Sequence, residues 1–240
     1  MVCGKTFIFF DGSVFLEYRQ AQSTAEYQGF VRFPFHTIHI SLDGDDASIL
    51  ASFSKGTRYE VNRAMRDGVF FSDVRQDDFV RFYNEFALLK SRKCLAPEEL
   101  DLMGAHLSVT SAGYGDEVLV MHCYLLDMHL RKVRLLYSAS HFRAFGDSAE
   151  RNLVARANRM LHYKDMLYYR ERGYSCYDLG GISLEQNDKE KAQIANFKAG
   201  FGGCIVEESH YISVPLVVMR GLKNRLQRIR LNWSERISRA

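Results

Sequence analysis

The chain has 240 residues, 47% hydrophobic and 25% charged, with a formal net charge of +3. That length can bury a substantial core in one large domain or two small ones, and the composition is ordinary for a globular protein. Only three prolines occur (Pro34, Pro97, Pro215), and no repeat or low-complexity stretch is present, which excludes a solenoid and a chain of linkers.

The five cysteines, Cys3, Cys94, Cys123, Cys176 and Cys204, are odd in number and far apart. They read as reduced thiols of a cytoplasmic protein rather than a disulfide framework or a zinc site. Lys5, Asp11 and Glu17 interrupt the early apolar stretch, so no secretory signal is expected. No apolar run is long enough to span a bilayer. Charge is uneven. Residues 219–240 carry seven basic side chains against Glu235, a net +6 that leaves −3 for the remainder.

In chain order, strands are predicted over residues 5–10 and 37–42, the second turning Ile38, Ile40 and Leu42 inward. Asp43-Gly-Asp-Asp46 is a turn that caps a helix bearing Ile49, Leu50 and Phe53. A second helix follows over 57–66 and stops at Asp67-Gly68, and a strand is expected over 69–74. The three- and four-residue recurrence of Phe79, Phe82, Tyr83, Phe86 and Leu89 predicts a helix over 76–92; Pro97 opens another. The pattern over residues 117–127 and 133–140 predicts an antiparallel hairpin. A long helix over 148–172 places Leu153, Ala157, Met160, Leu161, Leu167 and Tyr168 on one face, with His162 opposite and solvated. The Lys164 stem lies along the apolar face. A strand over 176–179, a helix over 188–198 and a strand over 204–211 follow. From Val214 the sequence reads as an amphipathic helix with Leu222, Leu226, Ile229, Trp233 and Ile237 on one side and arginines on the other. It suits docking on the body or a second subunit, or an anionic membrane surface.

The most informative segments are Tyr174-Ser-Cys-Tyr-Asp-Leu-Gly-Gly-Ile182 and Phe197-Lys-Ala-Gly-Phe-Gly-Gly203. Each sets a glycine pair against a regular element, where backbone amides can approach a ligand and a positive φ is tolerated. Together with Lys55-Gly-Thr-Arg58-Tyr-Glu-Val-Asn-Arg63 and Arg156-Ala-Asn158-Arg-Met-Leu161-His162, they resemble the GNAT-type lobe of the Fem-like peptidoglycan-bridge aminoacyltransferases. The resemblance runs from about residue 37 to 212. Fem enzymes have two such lobes, whereas this chain has room for one lobe and a remnant.

That resemblance implies an α+β fold: a mixed, mostly antiparallel central sheet flanked by helices. It suggests a partial N-terminal lobe over 1–68, an acyltransferase lobe over 69–213 and a basic helix over 214–240. It also implies an acyltransferase that forms an amide on an amino group of a cell-envelope or glycan precursor. The co-substrate would be acyl-coenzyme A, an acyl carrier thioester or an aminoacyl-transfer RNA. The alternative is a non-catalytic ligand-binding lobe. Partners would be a small-molecule or glycan-linked amine, a carrier protein or transfer RNA, an anionic membrane at its inner face, or a second copy of the chain.

Within that scheme, Arg143-Ala-Phe-Gly146-Asp-Ser148 occupies the place of a pyrophosphate loop, or is simply a helix cap formed by Asp147 or Ser148. Asp178, if buried, would have a raised pKa and act as general base, or it bonds the amides of its own glycine turn. His141 lies at a strand exit, where it could shuttle a proton or face solvent. Arg58 and Arg63 suit a phosphate of the acceptor or form a solvated basic face. Asn158, Gly180, Gly181, Lys198, Phe201, Gly202 and Gly203 complete the expected substrate site. His36 and His39 fall on opposite faces of a strand, and no histidine–carboxylate set shows ligand spacing, so no metal is expected.

Overall fold

The computed structural model describes residues 6–7, 15–101, 103–143, 146–185 and 187–222. The chain divides into two compact units: Met1–His36 with Glu207–Ala240, and Thr37–Val206. Residues 37–68, assigned from sequence to a separate N-terminal piece, therefore share a unit with residues 69–206.

The smaller unit contains β1 (Thr6–Phe7), β2 (Glu17–Ala21) and the first part of β3 (Phe30–Ser41). The later part of β9 (Cys204–Ser213) completes its strands, and residues 214–222 are helical. The strand order is β1-β2-β9-β3, with β2 antiparallel to both β1 and β9. Tyr211 is buried there, and its single hydroxyl proton is shared between the carbonyls of Ser23 and Ala25 at 2.8 and 2.7 Å. The rest of the expected basic C-terminal helix, with Leu226, Ile229, Trp233 and Ile237, lies outside the described residues, as does most of the strand expected over 5–10.

The larger unit contains the end of β3, α1 (Asp46–Ser52), α2 (Lys55–Arg66), β4 (Phe70–Asp73) and α3 (Gln76–Leu89). It continues with α4 (Pro97–Asp101), β5 (Leu107–Tyr114), β6 (Glu117–Asp127), β7 (Lys132–Ser140), α5 (Ser148–Glu171), β8 (Cys176–Ile182) and α6 (Lys189–Ala199). Its strand order is β3-β8-β7-β6-β5-β4. From β4 to β7 every pairing is antiparallel, whereas β7 and β8 run parallel. This is a mixed, mostly antiparallel sheet flanked by helices. β5 is the one strand of this unit absent from the sequence reading, because Ser108, Thr110, Ser111 and Gly113 dilute its apolar signal.

Alternation along β6 distributes the core. Met121 and Cys123 join the cluster of Phe79, Phe82 and Phe86 from α3, while Val120 and Tyr124 join clusters containing Leu161 and Met166 from α5. Side-chain caps start four of the helices: Asp45 accepts from Ser48 N, Ser54 from Thr57 N, Asp147 from Ala149 N and Asp188 from Glu190 N. The turn between α6 and β9 lies tight against β3. Gly203 has φ of +83°, and a Cβ there would sit 2.4 Å from the His39 carbonyl oxygen. Among the described residues, no helix is long and apolar enough to cross a membrane.

Gly203→Ala is expected to lower unfolding free energy by about 3 kcal/mol, because it combines a left-handed backbone with a clash against fixed backbone. Urea denaturation of the purified variant measures the loss.

Candidate active site

The parallel ladder between β7 and β8 has three rungs: Lys132–Cys176, Val133–Tyr177 and Arg134–Asp178. Beyond the last, the two strand ends form opposite walls of a cleft of about 980 Å³. Leu135 and Ser138 face it from β7, and Gly180 and Gly181 from β8. Asn158, Arg159 and His162 project from α5, and Phe197 and Lys198 from α6.

A buried charge cluster holds the last rung. Asp178 is fully buried, and its Oδ2 accepts from Arg134 Nε at 2.8 Å, with Lys132 Nζ 4.0 Å away. Its Oδ1 accepts from the Thr37 hydroxyl and from the Gly180 amide at 2.8 Å. Burial pulls the carboxyl pKa upward, but His39 Nε2 at 3.5 Å, the Arg134 charge and the Thr37 hydrogen bond outweigh it, leaving the pKa far below the ordinary value. The expectation of a raised pKa for buried Asp178 is therefore corrected. The group is a saturated carboxylate that bonds its own glycine turn, and it does not line the cleft.

Gly180 follows with φ of +73°, and a Cβ there would approach the Leu135 carbonyl oxygen to 2.9 Å. Only glycine lets β8 turn so close to β7. The freed carbonyls of Gly180 and Gly181 accept from Lys198 Nζ at 3.1 and 2.8 Å. Burial pulls the Lys198 pKa down to about 8, with Asp178 acting in the opposite direction.

Beneath the α5 wall lies a buried polar network. His162, expected to be solvated, is 2% exposed, because α5 is covered on one side by β6 and β8 and on another by Phe197 and Phe201. Its Nδ1 is 2.8 Å from the Tyr177 hydroxyl. Tyr177 meets the Tyr124 hydroxyl at 2.5 Å, and Tyr124 donates to Asp165 Oδ2 at 2.5 Å. His122 bridges Asp165 Oδ2 and the Asn158 amide oxygen, each at 2.9 Å. The network thus starts and ends on cleft-facing residues of α5, His162 and Asn158. Burial and the positive charges of His122, Lys198 and Arg159 depress the His162 pKa well below its ordinary value, while burial and the Asp165 charge raise those of Tyr124 and Tyr177. Ligand atoms of His122, His162 and Asp165 all lie within 4.8 Å of one another, a grouping that sequence spacing does not contain.

Other expected site residues fall elsewhere. Phe201 is fully buried behind the cleft, packed edge-on against His162 and Phe53. Gly202 and Gly203 abut Ser52 and His39 backbone rather than the cavity. His141 stacks on Phe82 with centroids 4.2 Å apart, and its Nε2 is 3.6 Å from Glu85. Asp147 caps α5, while Gly146 and Ser148 are exposed and off the cleft wall; the Arg143 side chain lies outside the described residues. Arg58 donates to the Ala51 carbonyl at 3.0 Å. Arg63 lines a neighbouring pocket of about 590 Å³ with Arg156 and Asn196, which shares Ala155, Arg159 and Phe197 with the cleft.

No protein-family model matches the chain, and no curated protein matches it in sequence. Solved structures do match in shape. FemX superposes with a TM-score of 0.63 at 13% identity, over 86% of this chain and 68% of that one. The fold resembles that of FemX. A domain described as the C-terminal part of a lysylphosphatidylglycerol synthetase from Agrobacterium fabrum gives 0.53 at 15% identity, over 82% and 66%. The L-PGS from Bacillus licheniformis gives 0.52 at 13%, over 80% and 65%. The chain spans about two thirds of the length of each, so the likeness concerns the fold.

Two measurements probe the fork in this Fem-like fold. Asp178→Asn strips the carboxylate from Arg134 and Lys132 and is expected to cost about 3 kcal/mol in urea unfolding. Lys198 has a folded pKa of about 8 against 10.5 for the ordinary side chain, so the unfolded chain binds more protons between those values. Stability is then expected to rise with pH across that window, by on the order of 2 kcal/mol. Lys198→Met should lack this rise when unfolding is compared at pH 7 and pH 10.

Proposed function

We propose that the cleft of the Thr37–Val206 unit joins an acyl or aminoacyl group, carried by an ester or thioester, to an amine acceptor. The parting of β7 and β8 at Arg134 and Asp178 carries this reading, because it frees strand-end backbone groups beside a cavity. An extended acyl donor can add to such groups as a further strand does, and the fixed carbonyl so held is open to attack. The cleft wall also bears Lys90, Arg92, Arg159, Lys189 and Lys198 against Glu190. Arg159 lies over the Phe197 ring and has no carboxylate within ion-pair distance among the described residues. That excess of cations suits a phosphate-bearing donor, either acyl-coenzyme A, an acyl carrier thioester or an aminoacyl-transfer RNA. The adjoining pocket with Arg63 and Arg156 suits a phosphate of the acceptor.

The likeness to a domain described as part of a lysylphosphatidylglycerol synthetase supports an aminoacyl group as the unit transferred; the amine of a cell-envelope precursor as acceptor is part of the proposal. Action would then fall at the cytoplasmic face of the membrane.

The test incubates the protein with radiolabelled acetyl-coenzyme A or alanyl-transfer RNA and an amino sugar, and follows amide product by mass spectrometry. Turnover with one donor and not the other assigns the donor. Arg159→Glu is expected to raise the donor KM about tenfold to a hundredfold through loss of a charge-assisted contact. Donor binding without any product would instead make the lobe a ligand-binding module.

A further inference from the structure

Proton counting sets the direction of the buried network. Tyr124 gives its single hydroxyl proton to Asp165 Oδ2 at 2.5 Å. The 2.5 Å bond between Tyr124 and Tyr177 must then be donated by Tyr177. With that proton used, the 2.8 Å bond between Tyr177 and His162 Nδ1 must be donated by the imidazole. The neutral His162 ring therefore carries its hydrogen on Nδ1 and a lone pair on Nε2. Nε2 is hydrogen-bonded to no described residue, and His162 lines the cleft. The chain of donors ends on a carboxylate that is fully buried and whose other oxygen, Oδ1, has no hydrogen-bond partner among the described residues. Such a carboxylate attracts any positive charge that develops at the far end of the relay.

Resting on the transferase reading, we infer that His162 is the general base of the cleft. It takes the acceptor amine's proton at Nε2, while Tyr177, Tyr124 and Asp165 are positioning residues that hold its tautomer and stabilise the imidazolium. The neutral amine attacks the donor carbonyl carbon; a carbon–nitrogen bond forms and the carbonyl pair moves to oxygen. One N–H proton passes to His162 Nε2. As the carbonyl re-forms, the donor's carbon–oxygen or carbon–sulfur bond breaks, and the leaving atom keeps that pair. It then takes the proton back from the imidazolium. The amine and the ester or thioester become an amide and an alcohol or thiol, and the histidine ends as it began.

The groups facing His162 fit this role. Lys198 from α6 and Arg159 from α5 bring positive charge to the ring, His122 from β6 packs beside it, and Phe197 and Phe201 cover its face. Together they keep the ring unprotonated at neutral pH, with its Nε2 lone pair free to accept a proton and with Tyr177 of β8 as its hydrogen-bond partner at Nδ1. Asn158, one turn earlier on α5 and tied to Asp165 through His122, gives the same carboxylate a second link to the cleft.

Two readouts on the full chain test the inference. Nitrogen-15 spectra of the labelled histidines are expected to show His162 as the Nδ1–H tautomer from pH 6 to 8, reverting to a mixture in Tyr177→Phe. An Nε2–H tautomer overturns the relay whether or not the protein is active. In the transfer assay with acetyl-coenzyme A or alanyl-transfer RNA and glucosamine, His162→Gln is expected to lower kcat about a hundredfold to ten-thousandfold with little change in KM. Tyr177→Phe should fold as the wild type does, lower kcat less, and shift the acid limb of the pH–rate profile. Undiminished turnover in His162→Gln by an Nδ1–H wild type overturns the base. A wild-type protein silent with both donors defeats the transferase reading and the base with it, while the spectra still report the polarity of the network independently.

Discussion

The fork between β7 and β8 depends on one buried ion pair. Arg134 and Asp178 are partners on the last rung of the parallel ladder and are joined through their side chains at 2.8 Å. An ion pair out of water is costly unless its remaining hydrogen-bonding capacity is filled. Here Thr37 and the Gly180 amide fill it. The carboxylate therefore ties β8 to β7 and β3 at the point where the β7–β8 ladder stops. The next residue but one, Gly180, can then leave the ladder because its backbone adopts a conformation that side chains rarely tolerate. Lys198 covers the carbonyls that the departure exposes.

This arrangement separates the charges that hold the fork from the polar groups beside the cavity. Asp178 is saturated, held ionised and outside the cavity. The groups with unspent capacity lie one layer away, where α5 brings His162, Asn158 and Asp165 against Tyr124 and His122 of β6 and Tyr177 of β8. A network this dry specifies its own geometry, since each hydroxyl has one proton and every misdirected bond leaves a buried group unpaired. The aromatic rings of Phe197 and Phe201 close the layer from the α6 side.

Much of the fold was legible in the order of residues. The β6–β7 hairpin, the long α5 helix and the short strand before Gly180-Gly181 follow from periodicity and turn chemistry, because those signals are local. Lys198 and the first glycine pair were also legible as part of the cleft. Phe201, Gly202 and Gly203 were not separable from them by sequence, since a glycine that accommodates a ligand and one that accommodates another strand look alike. His162 was misplaced because a helical stripe implies one buried face, whereas α5 is covered on more than one side.

Taken by itself, the sequence determined most of the helices and strands, which glycines turn the chain, and that a lysine closes the last turn of the helix before the second glycine pair. Tertiary structure alone decided that His122 would meet Asp165 across 43 residues and Tyr124 would meet Tyr177 across 53. It also decided that Asp178 would be held as an anion rather than poised to take a proton. The reason is physical. Backbone preference is set by near neighbours along the chain, but a side chain's charge and proton depend on which distant groups share its buried surroundings.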